Sequence, residues 1–194
     1  DLVRSRGLGD VYKRQRFYHE SLHSPPVTLH TPTMTTDLML RRKWTLRAHG
    51  RQMVFVKKSN ESSEHVLMKA LLWALYLPDY PELTVEISIG DRYKPDVVAL
   101  DAQGSPTFWA EAGQVGVDKI QSLVRRHRRT HFAIAKWESS LDILAGTVRT
   151  TLDRQPHQAP FDLITFPANS AERFVDDSGT IRISHHDLLW IRLT

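Results

Sequence analysis

The sequence predicts an α/β domain, a mixed β-sheet flanked by helices and preceded by a β-hairpin. Two observations carry that prediction. From residue 62 to residue 136 the periodicity reads helix, three strands, helix, strand, which is a meander followed by a crossover to a later strand. The second and third of those strands are apolar and β-branched, yet each carries one acid: Asp96 within residues 93–100 and Glu111 within residues 108–114.

Taken in order, residues 41–48 and 52–58 read as a hairpin turning at 49–51, with Trp44, Leu46, Val54 and Val56 alternating at period two. Residues 60–63 are a helix-start cluster, and Glu64 follows in the first turn, where a negative charge suits the helix dipole. The helix runs to about Leu77, is stopped by Pro78 and Pro81, and turns Leu67, Leu71, Ala74 and Leu75 to the core. Residues 83–89 alternate as a half-buried antiparallel strand. After the two acid-bearing strands, residues 117–129 read as a helix with Ile120, Leu123, Val124 and His127 on one side, and residues 131–137 as a strand. A helix over 139–152 with Leu141, Ile143, Leu144 and Val148, and a strand over 161–166, come next. Residues 181–183 and 188–193 read as late strands after a turn at 176–179.

Residues 34–194 suit one compact domain. The preceding segment reads differently. Residues 10–15 back-translate to GAT GTG TAT AAG AGA CAG, which looks like a transposon end used as a sequencing adapter. Residues 1–15 are therefore read as a translated artefact and set aside. Residues 16–33, rich in His, Pro, Ser and Thr without a period, read as a non-native or disordered leader. Residues 1–15 hold four cations against two acids, so half of the formal charge of +4 belongs to them and the domain is only mildly basic. Overall pI is then no argument for a nucleic-acid partner, and only local clustering counts. There is no cysteine, hence no disulfide framework and no Cys-based zinc site, which is compatible with a reducing cytoplasm. The longest apolar stretch, residues 70–77, is far shorter than the roughly 20 residues of a membrane span, so no membrane partner is expected.

The acids carry the chemistry. Residues 101–106 are a turn signal; with Gln103-Gly104 at its centre, opposed residues have numbers totalling 207, which sets Asp96 opposite Glu111. Two like charges that close in a buried strand pair repel, and a shared divalent cation resolves the conflict. The bland alternative is a pair of salt-bridged or backbone-bonded carboxylates. The shared-site reading expects both carboxylates in one pocket with a Lys head group nearby. No Ser-His-Asp, HExxH or glycine-rich phosphate pattern occurs in the domain.

Ser63-Glu64 opening a helix, Leu71-Leu72-Trp73-Ala74, Pro95-Asp96 and Trp109-Ala110-Glu111-Ala112-Gly113-Gln114 together resemble the YaeQ-like family of the PD-(D/E)XK nuclease superfamily, over roughly residues 41–137. The resemblance implies a restriction-endonuclease-like core and Mg²⁺-dependent (or Mn²⁺-dependent) phosphodiester hydrolysis of DNA or RNA. It implies Asp96, Glu111 and the Ala112 carbonyl as metal ligands, with Glu64 a third acid or merely a first-turn charge. The superfamily's lysine two residues after the Glu is replaced by Gly113. Candidates for its role are Gln114, Lys119 and Lys94, of which Lys119 is preferred. Arg125, Arg126, Arg128 and Arg129 form the dense basic cluster, a phosphate contact or a helix C-terminal charge effect. A catalytically inactive nucleic-acid- or protein-binding module of the same fold is the alternative.

Overall fold

A two-residue turn decides the first element of the computed structural model, which describes residues 38–194. β1 (Lys43–Ala48) pairs antiparallel with β2 (Arg51–Val56), from Lys43 opposite Val56 to Ala48 opposite Arg51. His49 (φ 48°) and Gly50 (φ 76°) both take positive φ, the geometry of a tight hairpin turn whose twist matches its strands. The expected three-residue turn would have set Val54 and Val56 on the face of Trp44 and Leu46. The shorter turn shifts the pairing by one, so Phe55 lies opposite Trp44 and is buried, while Val54 and Val56 face solvent. A one-residue change of register exchanges the two faces of a strand.

Ser62 caps α1 (Ser63–Tyr76) by accepting the His65 N–H at 3.1 Å. Every residue from Val66 to Tyr76 is buried, because the sheet covers one side of the helix and the hairpin the other. Leu67, Leu71, Ala74 and Leu75 are in the core as expected, but so is Lys69. A helix apolar nearly all round is one enclosed on all sides.

The sheet holds β3 (Thr84–Val85), β4 (Val97–Leu100), β5 (Pro106–Ala112), β6 (His131–Trp137), β7 (Phe161–Phe166) and β8 (Leu189–Leu193), in chain order across its width. β5–β6 and β6–β7 are parallel and the other pairs antiparallel. The crossovers are α2 (Val117–Arg126) and α3 (Asp142–Arg154). Alternation along β5 separates two cores. Phe108, Ala110 and Ala112 face α1, where small residues on β5 and β6 let the helix lie close. Trp109 faces the other way, with Ile120, Leu123, Val124 and Val148 of the crossover helices.

Several expectations are corrected. The strand over 83–89 shrinks to Thr84–Val85: Glu86 still donates its N–H to the Asp96 carbonyl at 3.0 Å, but its φ of 53° turns the chain away after it. The helix over 117–129 ends at Arg126, and α3 starts at Asp142 with Ile143 exposed rather than in the core. Ile181 makes one isolated bridge to Val175 instead of a strand. A short helix, α4 (Ser170–Phe174), adds Ala171 and Phe174 to the α1-side core. The readings of residues 1–15 and 16–33 lie outside the described residues. No described helix is long and apolar enough to cross a membrane.

Candidate functional site

The turn between β4 and β5 is tighter than the spacing suggested. Leu100 pairs with Pro106, and the Asp101 carboxylate accepts the N–H groups of Gln103 and Ser105. A bulge between Ala99 and Leu100 then restores the expected register, so Val97, Val98 and Ala99 oppose Ala110, Trp109 and Phe108. Extended by one position, that register sets Asp96 across from Glu111, at the end of the two strands.

The two carboxylates have different partners. Glu111 is buried on the Trp109 side of the sheet, where Oε1 accepts the indole N–H of Trp109 at 2.7 Å and meets the Lys119 ammonium at 2.6 Å. Burial pushes the Glu111 carboxyl up; Lys119 and Trp109 oppose that push, and the neighbouring Asp96 charge adds to it. Asp96 turns its Oδ2 onto the backbone N–H of Ala112 at 2.8 Å, and its Oδ1 lies 3.6 Å from His65 Nε2 on α1. It borders a cavity of about 390 Å³ lined by Lys58, Glu61, His65, Glu86 and Lys94, which Glu111 does not line.

Gly113 has a physical reason to be glycine. It ends β5 at φ 85°, and a Cβ there would stand 3.4 Å from His65 Nδ1. A lysine at this position would need a strained backbone and would point at the α1 side, away from Lys119 and Trp109. Of the expected substitutes, Lys119 is committed to Glu111, while Gln114 and Lys94 are exposed and Lys94 borders the Asp96 cavity. Strand pairing of Ala112 with Ala135 carries Lys136 alongside Gly113, where burial pushes its ammonium down and no partner is present among the described residues.

Glu64 has no hydrogen-bond or ion-pair partner among the described residues. The acid brought to the site is Glu61, which meets His65 Nε2 at 3.4 Å and bonds the buried Lys69. Lys69 also bonds Glu86, whose second oxygen meets Lys58 at 2.7 Å. Burial alone would raise the Glu86 carboxyl, but Lys58 and Lys69 pull it down to about 2. Glu86 therefore holds its unusual φ by way of two ion pairs. The sequence did carry a signal for this group: His65 and Lys69 stand one helical turn apart on α1, and Glu61 lies four residues before His65, just ahead of the Ser62 cap. Arg125, Arg126, Arg128 and Arg129 lie at the other end of the sheet, beside the start of β5 and away from both carboxylates.

No three His, Cys, Asp or Glu side chains converge on a metal position among the described residues. The single pocket expected for a shared site is not seen among the described residues: Asp96 opens to the α1-side cavity, Glu111 does not line it, and the two carboxylates meet only through the charge that Asp96 exerts on Glu111. As hard oxygen donors they would suit an ion that keeps most of its water, as Mg²⁺ does, if both turned to it.

No protein-family model matches the chain, and no curated protein matches it. Solved structures share its fold, among them two YaeQ proteins. The YaeQ protein from Pseudomonas syringae aligns with a TM-score of 0.52 at 17% identity, over 70% of this chain and 75% of that one. The YaeQ protein from Xanthomonas axonopodis pv. citri aligns with a TM-score of 0.50 at 14% identity, over 74% and 80%. With its six-stranded mixed sheet, flanking helices and separate hairpin, the chain has the fold of the YaeQ proteins.

Proposed function

We propose that the chain is a Mg²⁺- or Mn²⁺-dependent phosphodiesterase acting on DNA or RNA, of the PD-(D/E)XK type. The observation that carries this reading is the opposition of Asp96 and Glu111 at the end of β4 and β5, with the Lys119 ammonium on Glu111. Asp96 and Glu111 would hold the ion, with the Ala112 carbonyl as a third oxygen. When bound, Mg²⁺ supplies a more acidic water and offsets charge on the phosphate. The chain's own residues do the rest. The Ala112 N–H and Trp109 indole N–H fix the directions of the two carboxylates. Lys119, drawn to Glu111, is the cation nearest to where negative charge develops.

A second reading, a binding module without catalysis, is favoured by one observation: each acid already has its own donors, so the pair is balanced without an ion. Incubating the full chain with plasmid, single-stranded DNA and RNA, with Mg²⁺, Mn²⁺ or chelator, separates the two. Metal-dependent cleavage lost in Asp96→Ala and Glu111→Ala is expected. Equal cleavage by wild type and Asp96→Ala would sink the mechanism. No cleavage, together with a melting temperature indifferent to millimolar Mg²⁺, would favour the binding module.

A further inference from the structure

A strongly basic concavity lies away from the carboxylates. It is a groove of about 750 Å³ between the β4–β5 turn and the loop leaving α2, walled by Arg125, Arg126, Arg128 and Arg129 on one side and Ser105 and Thr107 on the other. The arginines differ in how far they are already used. Arg126 is tied to Asp91, and Arg129 donates its Nε–H to Gln158 at 3.3 Å. Arg125 and Arg128 have no side-chain partner among the described residues. The one acid in the lining, Asp101, accepts two N–H groups of its own turn. The floor is held in place by the Thr130 hydroxyl, which donates to the Pro106 carbonyl at 2.6 Å. No Phe, Tyr or Trp ring lines the groove, and its one imidazole, His127, is packed on Trp109 and bonded to Asp91, so the groove offers mainly charge and hydroxyls. Those are the means of gripping a sugar–phosphate backbone rather than of reading bases.

Its position limits what it can do. Pro106 borders the groove and Glu111 lies five residues further along the same strand, roughly 17 Å away at about 3.4 Å per residue. The Pro106 end of the groove therefore stands apart from the phosphate at Asp96 and Glu111, while His127 of the opposite wall packs toward Trp109. In a duplex rising about 3.4 Å per base pair, 17 Å corresponds to about five base pairs.

We propose that this groove is a remote anchor that grips the nucleic-acid backbone about five base pairs from the phosphodiester positioned at Asp96 and Glu111. The inference rests on the proposed nucleic-acid substrate, but its test does not require turnover. Binding of a fluorescent twelve-base-pair duplex and of a three-nucleotide oligomer is measured by anisotropy in chelator across a salt series. The proteins are wild type, Arg125→Ala/Arg128→Ala and Arg125→Lys/Arg128→Lys. The alanine pair is expected to weaken duplex binding by about ten-fold or more at low salt and to lower the salt slope by about two, near 0.9 per lost contact. The lysine pair keeps the point charges and should recover most of that loss, and the three-nucleotide oligomer should not distinguish the variants. Unchanged duplex binding in the alanine pair overturns the anchor, whether or not the wild type cleaves. Equal loss for the short oligomer also overturns it, since the groove would then lie at the reacting phosphate. Tighter binding of polyglutamate than of duplex, lost in the same variant, overturns it in favour of an acidic protein partner. Metal-dependent cleavage is scored separately with Asp96→Ala. Its absence removes the enzyme reading while the duplex-binding result still decides the anchor.

Discussion

Replacing Asp162 by asparagine should destabilise the protein by about 3 kcal/mol, the low end of the cost of breaking a buried ion pair. Asp162 is fully buried near the start of β7. Its Oδ1 accepts Arg192 Nε at 2.8 Å, and its Oδ2 accepts Arg192 Nη2 at 2.8 Å, the Tyr76 hydroxyl at 2.7 Å and His131 Nε2 at 2.8 Å. Tyr80 extends the network through its hydroxyl to His131 Nδ1 at 2.9 Å. Asparagine keeps the shape but turns one acceptor into a donor facing donors, and leaves Arg192 without its counter-ion. Arg192 keeps 41% of its side chain in contact with solvent, which lets water relieve part of the loss and sets the low end. For a domain of this size the loss corresponds to a fall in Tm of roughly 6–12 °C. Burial alone would raise the Asp162 carboxyl, but Arg192, His131 and Tyr76 overcome it and hold the pKa well below the usual range. A depressed folded-state pKa contributes stability that is present above the unfolded value near 3.9 and lost as pH falls through the folded one. The gap between wild type and Asp162→Asn, read from urea unfolding by tryptophan fluorescence, should be constant from about pH 5 to 8 and narrow below about pH 4. A gap under about 1 kcal/mol at neutral pH, or one that persists unchanged to pH 3, would refute the assignment of this network as a stabilising ion-pair cluster. Asp162 lies two strands across from β5, level with Ala110, and its partners Arg192, His131 and Tyr76 include none of the partners of Asp96 or Glu111, so metal-dependent cleavage below the melting transition should be unaffected.

The α1 side of the site supports two more tests. Lys69→Met leaves Glu61 and Glu86 facing each other without their buried cation and should cost about 3–5 kcal/mol; adding Glu61→Gln and Glu86→Gln should recover much of it, as thermal melts will show. Gly113→Ala and Gly104→Ala should cost about the same, roughly 1–2 kcal/mol each, because both have positive φ and a Cβ 3.4 Å from His65 is ordinary contact; a clearly larger loss at Gly113 in urea unfolding would show that His65 and not the backbone requires the glycine.

The legible part of the fold came from elements whose pattern is read by one rule at a time. β6 and β7 match their expected limits because each is a short, mostly apolar run whose Phe and Ile residues favour a buried strand. The strand expected over 83–89 is cut short for the opposite reason. Its alternation is perfect, but Glu86 turns the chain at positive φ, with its carboxylate held by Lys69 and Lys58, which are remote in sequence. The hairpin faces are exchanged relative to expectation because one residue of turn length swaps them, and period two is the same for either choice.

The same division holds at the site. Composition and periodicity by themselves determined an α/β sheet with an acid at the end of each of two adjacent strands; the opposition of Asp96 and Glu111 also needed the bulge between Ala99 and Leu100, which offset a turn one residue tighter than its spacing suggested. Only the tertiary structure decided which charges accompany them. Lys119 reaches Glu111 from α2, His65 reaches Asp96 from α1, and the basic run that lies near Glu111 in sequence sits at the far end of the sheet. The reason is geometric: a parallel crossover returns the chain to the start of the next strand, so the loop leaving α2 stands beside the beginning of β5 rather than its acid-bearing end.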